Sequence, residues 1–179
     1  HHAKTLWRFV FKGNLVGGLF NADPHPGNYV FLDDERIAFL DHGCCQPIEP
    51  QHPSLARSIH LPALRKDEAA FRDIVPALGA TRPGRWEDWV TEYSRACFEP
   101  LFGSPYRIER AWTAGLVERM RDAKKLAFQV RADEFSPLPP NMVFMNRLQF
   151  GFYSVLARLQ VDVDYAEVER RFFAEAGLG

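Results

Sequence analysis

The amino-acid sequence predicts a mainly α fold with a small β-hairpin near its N-terminal end, and three observations carry that expectation. Residues 3–20 place Leu6, Phe9, Val10, Gly13, Val16 and Phe20 at three- and four-residue steps, which lines them along one face of a helix. YVFLD from Tyr29 and RIAFLD from Arg36 are short runs rich in aromatic and β-branched residues, separated by Asp34 and Glu35, as a hairpin requires. Everything beyond the proline-rich stretch QPIEPQHP (46–53) keeps helical spacing.

Taken in order, the helical face of 3–20 leads into the stretch NADPHPGN (21–28) and from there into the hairpin. Prolines deny backbone donors and fix φ, so 46–53 reads as a loop. The helical remainder, 54–176, divides into 54–78 with interruptions near Pro62 and Pro76, then 85–101, 105–131, 139–160 and 164–176. ATRPG, FGSP and SPLPP mark turns between them. A two-stranded hairpin is too small to be a core, so it must lie on the helices. The whole, residues 1–179, is expected to be one unit.

At 179 residues and 46% hydrophobic composition the chain can bury a core. Lys and Arg number 22 against 23 Asp and Glu, so the basic excess that binding to phosphate backbones needs is missing, and no nucleic-acid partner is expected. Three cysteines, two of them adjacent (Cys44 and Cys45), do not form a balanced disulfide framework and point to a reducing, intracellular setting. No secretory signal is recognisable. The most apolar stretch, 142–159, is interrupted by Asn146, Arg147, Gln149 and Arg158 and reads as a buried or surface helix, because a membrane span needs about 18 apolar residues.

The chemistry concentrates in the loops of 20–45. Antiparallel strands return the chain to its starting end, so Asn28 before the first strand and Asp41 after the second become neighbours. Both carry the hard oxygens that Mg²⁺ prefers. Asp23, on the loop just ahead, is placed to accept a proton from an attacking hydroxyl or to orient a water. Pro24 and Pro26 reduce the conformers to be frozen, and Gly27 is expected to adopt a backbone angle closed to other residues.

The spacings D-x4-N and N-x12-D-x-G are those of a kinase catalytic loop followed by its metal loop. With FNADPHPGN and FLDHG written out, residues 3–50 closely resemble the UbiB family of atypical protein-kinase-like ATPases, tied to ubiquinone (coenzyme Q) biosynthesis. RLQFGFYSVLARL, near the end, is similar to that family's late helix. The resemblance implies the C-terminal lobe of a protein-kinase-like fold. It makes Asp23 the catalytic aspartate, has Asn28 and Asp41 hold Mg²⁺ on the phosphates of ATP, and has Gly43 permit the metal-loop turn. It also implies lipid or quinone-pathway partners and a cytoplasmic location peripheral to the inner membrane. Two residues depart from the pattern: Asn21 stands where the family has His, which is expected to loosen the catalytic loop, and His42 replaces Phe. The family's N-lobe features, a Gly- or Ala-rich loop, a phosphate-pairing lysine and a KxGQ segment, are not found in these residues. The expectation is therefore a C-lobe portion with weak nucleotide affinity of its own.

Other readings compete. The loop is also similar to that of aminoglycoside-phosphotransferase-like small-molecule kinases, although Pro24 directly after the aspartate fits UbiB better. A non-catalytic lipid- or protein-binding module is the third. His25, His42, His52 and His60 with Cys44 and Cys45 invite zinc, but the CxxC spacing is missing, so they read as loop and turn residues, with the two cysteines small and buried. The basic, amphipathic 105–131 could face a membrane surface, yet a solvated outer face is the simpler reading. The row Phe144, Phe150, Phe152 and Tyr153 reads as core rather than a quinone surface.

Overall fold

The computed structural model describes residues 1–21, 23–48, 52–137 and 150–178. Helix α1 (His2–Leu15) is followed by strand β1 (Leu19–Asn21), a 3-10 turn (Pro26–Asn28), and strands β2 (Tyr29–Phe31), β3 (Ile37–Phe39) and β4 (Cys45–Pro47). Then come helices α2 (His52–Leu64), α3 (Glu68–Gly79), α4 (Arg85–Cys97) and α5 (Glu99–Phe102), strand β5 (Tyr106–Arg107), and helix α6 (Arg110–Ala127). A helical run whose described part is 150–156, here α7, precedes β6 (Asp162–Val163) and α8 (Tyr165–Glu175). This is the mainly helical architecture expected, with small antiparallel ribbons in place of a larger sheet.

The helices follow their sequence signals, with informative exceptions. α1 stops at Leu15 rather than at residue 20. Gly18 turns the chain with φ +64°, and the carbonyl of Leu19 then comes so near α1 that a Cβ on Gly13 would lie 2.9 Å from it. The break expected near Pro62 falls three residues later. Pro62 stays inside α2, and the chain reverses at Lys66 (φ +56°) before Asp67 caps α3 through the Ala70 amide at 3.0 Å. Pro76 also lies within α3, which ends at Ala80 in the left-handed region. Residues 105–131 begin as a short strand, β5, paired with β6, and become helical only at Arg110. The last helix starts as its D-x-x-E signal dictates, with the Asp164 carboxylate accepting from the Glu167 amide at 2.9 Å. Positions 139–149 of the expected helix 139–160, Phe144 among them, lie outside the described residues.

The core is aromatic. Trp7 of α1 stacks on Phe11 at 4.2 Å, leans on Tyr165 at 4.3 Å, and reaches Phe152 and Tyr153 of α7 at 6.2 and 6.1 Å. Buried among these rings is Glu169, 0% exposed. Its two carboxylate oxygens accept from the Trp7 indole Nε1 at 3.0 Å and meet His60 Nδ1 at 2.7 Å. Phe152 and Tyr153 are thus core residues, as expected, while α6 buries Thr113, Leu116 and Ala123 and turns its charges outward. No helix among the described residues is long and apolar enough to cross a membrane.

Candidate functional site

Two ribbons frame the loops that carry Asp23, Asn28 and Asp41. β1 pairs antiparallel with β4, Asn21 opposite Cys45, and the Ile48 amide donates to the Gly18 carbonyl at 2.8 Å to extend the ladder. Residue pattern does not reveal this ribbon, because LFN and CQP are too short to show alternation. β2 pairs with β3, Tyr29 opposite Phe39. These strands are shorter than the runs suggested, since the turn begins at Leu32 and uses Glu35 at φ +65°. The second ribbon is pinned to α1 through Phe39, which stacks on Phe9 at 3.6 Å and meets Tyr29 edge-on at 5.5 Å.

Between the ends of the two ribbons, 23–28 and 40–44 run side by side. The Leu40 amide donates to the Asn28 carbonyl at 3.0 Å, which sets Asn28 opposite Leu40 and one residue from Asp41. Asn28 Nδ2 donates to the Asp23 carboxylate at 3.0 Å and to the Asp23 carbonyl at 3.4 Å. The donor half of that amide therefore engages Asp23, and the oxygen half is the one a cation would take. Asp41 accepts from the Gly43 amide on Oδ1 at 2.7 Å.

What joins the two loops is Asn21. Its Nδ2 donates to the Asp41 carbonyl at 2.8 Å, and its Oδ1 accepts from the Asp23 amide at 2.9 Å. Asparagine offers a donor and an acceptor on one short planar group, which is what a bridge between two backbones needs. Asn21 was expected to loosen the loop at 23–28; its amide links that loop to the one at Asp41. Sequence reasoning had the residue in view but not the two directions of its amide.

Gly27 acts differently from expectation. Neither Gly27 nor Gly43 has positive φ. Gly27 is needed because His25 folds back to accept from its amide through Nδ1 at 3.1 Å, and a Cβ there would lie 3.0 Å from that nitrogen. A Cβ on Gly43 would lie 3.1 Å from the Asp41 carboxylate. In both cases the hydrogen atom leaves space for a side chain that bends back on the loop.

Burial, with the Asp23 carboxylate adding to it, pushes the Tyr29 hydroxyl up to about 12, so Tyr29 stays neutral beside Asp23. His42 is exposed, with Nδ1 3.9 Å from Cys45 Sγ, and it packs nothing behind Asp41. Cys44 is exposed and Cys45 half-buried, which corrects the expectation that both are buried. His60, one of the histidines that suggested zinc, belongs to the core pair with Glu169.

The hard-oxygen side chains at these loops that a cation could use are Asn28 and Asp41, with Asp23 bonded to Asn28. Among the described residues no group of three or more His, Cys, Asp or Glu side chains could enclose a metal by itself. That composition fits Mg²⁺, which takes one or two protein oxygens and completes its shell from water and phosphate.

These loops lie within a segment similar to a known kinase-like domain. Residues 1–75 match the ABC1 atypical kinase-like domain, so the resemblance read from residues 3–50 is borne out as a likeness to that domain over the segment that holds both ribbons. Among known proteins, the chain is 38% identical over 78 residues to an uncharacterized protein of Mycobacterium tuberculosis, covering 43% of this chain and 16% of that one. It is 44% identical over 46 residues to an uncharacterized protein of Synechocystis, covering 26% and 11%. It is 34% identical over 74 residues to the chloroplastic protein Activity of bc1 complex kinase 3 of Arabidopsis thaliana, covering 37% and 10%. The matched stretch thus spans 16% or less of these relatives' own length.

Proposed function

We propose that this chain supplies the phosphoryl-transfer loops of a UbiB-like atypical kinase or ATPase that uses Mg²⁺ and ATP. The observation that carries the reading is the Asn21 amide, bonded at one end to the Asp23 backbone and at the other to the Asp41 backbone. Phosphoryl transfer leaves little covalent chemistry to the protein, so rate comes from holding groups in register, and one side chain spanning both loops does this.

In this reading Asp23 orients the attacking hydroxyl or water and takes its proton, while Asn28 Nδ2 keeps the carboxylate from swinging away. Asn28 Oδ1 and the Asp41 carboxylate would hold Mg²⁺, and Gly43 keeps the space in which that carboxylate bends. Magnesium bound there supplies the positive charge that offsets charge growing on the transferred phosphoryl group. Tyr29, neutral and buried under Asp23, keeps a second anion out of the site. A lipid or quinone-pathway partner and contact with a membrane surface belong to the same proposal. They are supported by the family resemblance and by the outward charges of α6. An N-lobe would complete the nucleotide site, and weak affinity is expected from this chain alone.

The test is thermal stabilisation by Mg²⁺-ATP, measured on the chain and on a version extended through the upstream gene sequence. The extended protein should respond, and Asp41→Ala should abolish the response. A response that survives Asp41→Ala removes the metal assignment.

A further inference from the structure

Pro24, the residue directly after Asp23, rests against α7 at Gly151. A Cβ built on Gly151 would lie 2.4 Å from Pro24 Cγ, 3.5 Å from its Cβ and 3.6 Å from its Cδ. The first distance is far inside van der Waals contact, so no side chain larger than hydrogen fits while Pro24 stays in place.

Neither wall can give way easily. The proline ring is closed and has no rotamer that removes Cγ. On the other side α7 is fixed in the core: Phe152 is 0% exposed, Tyr153 donates through its hydroxyl to the Cys97 carbonyl at 3.2 Å, and both rings pack around Trp7. Helix formation does not explain the glycine, since Ala is the better helix former. Gly151 lies well outside the residues that match the atypical kinase-like domain.

We propose that Gly151 is a positioning residue, a seat on α7 that sets the height of Pro24 and through it the placement of Asp23. This rests on the phosphoryl-transfer reading for its consequence and on the packing alone for its geometry. Alanine at 151 forces the Pro24 ring outward by about 1 Å to regain ordinary contact. Asp23, one bond away, moves with it, while the clasp through Asn21 pulls the other way. A shift of that size in a reacting group costs about 100-fold in turnover. The core beneath is untouched.

Hydrogen exchange on the chain reads the geometry directly. The amide of Asp23, held by Asn21 Oδ1, and that of Asn28, held by the His25 carbonyl, should exchange at least about tenfold faster in Gly151→Ala, with α8 amides unchanged. Pro24→Ala deletes Cγ and Cδ, so the double variant Gly151→Ala/Pro24→Ala should regain the protection shown by Pro24→Ala alone. In the extended protein, kcat for ATP hydrolysis should fall about 100-fold in Gly151→Ala with KM within about twofold. Unchanged loop exchange in Gly151→Ala, or an acceleration that the double variant fails to reverse, overturns the proposal. Loop exchange as expected, in a protein whose nucleotide response ignores Asp41→Ala, keeps the seat and removes the phosphoryl-transfer reading.

Discussion

The loops at 21–43 and the core around Trp7 hold their shape by opposite means. In the core, rings from α1, α7 and α8 bury one another, and a polar network, Trp7 to Glu169 to His60, is closed off from water. In the loops, exposed and half-exposed side chains are held by a few short polar links: Asn21 to both backbones, Asn28 to Asp23, His25 to Gly27, Asp41 to Gly43. Area removed from water gives the first its stability, while the second contributes little stability and much geometry. Substitutions in the two regions should therefore separate into losses of stability and losses of function.

The largest effect should come from Glu169→Ala. It leaves the His60 ring and the Trp7 indole without their buried partner, and breaking such a pair costs about 3–5 kcal/mol. Urea denaturation should show a lowered midpoint with the exchange of 21–28 unchanged under native conditions. A loss below about 1 kcal/mol would mean that the core does not depend on this carboxylate.

Asn21→Ala should do the reverse. Two hydrogen bonds at a half-exposed site are worth about 1–2 kcal/mol together, yet the two loops lose their only shared side chain among the described residues. Thermal unfolding should shift modestly, and any Mg²⁺-ATP response of the extended protein should vanish. If that response persists, the clasp is dispensable.

A smaller effect separates the regions by pH. Hydrogen bonds from Arg8 and Lys12 hold the Glu175 carboxyl down at about 2, below its ordinary value of 4.5, and tie α8 to α1. A depressed folded-state value means the tie is fully present above about 4.5 and is lost as pH falls through about 2. Glu175→Gln should flatten the acid dependence of stability in that window and leave the loops unaltered above it. The group is exposed, so salt should weaken the tie.

The smallest perturbation is chemical labelling. Cys44 is exposed and should react with iodoacetamide first, Cys45 more slowly. Burial pushes the Cys97 thiol up to about 12, so it should react only on unfolding. Early labelling of Cys97 would show that α4 opens in the native state.

Much of the site was legible because its signals are local. Asn28 comes within one residue of the position opposite Asp41 since a hairpin of known length lies between them, and the fixed spacings pointed to kinase-like loops. Asp23 follows from the same stretch. Asn21 was read by its residue type, where the direction of its amide mattered. The role of Gly27 was mistaken because the clash it avoids comes from His25 folding back, which no backbone propensity encodes. β1 and β4 escaped notice for lack of alternation, and Pro62 misled because α2 carries it inside the helix and breaks only beyond Leu64.

By itself, then, the order of residues determined the helices, the hairpin and the identity of the oxygen-bearing side chains, since periodicity and spacing act over a few residues at a time. Only the tertiary structure decided that Asn21 bridges two loops, that Glu169 meets Trp7 and His60 in the core and that Gly151 lies under Pro24. Each of those depends on the direction of a side chain and on contact between segments far apart in the chain, and close packing settles such questions only once all the partners are in place.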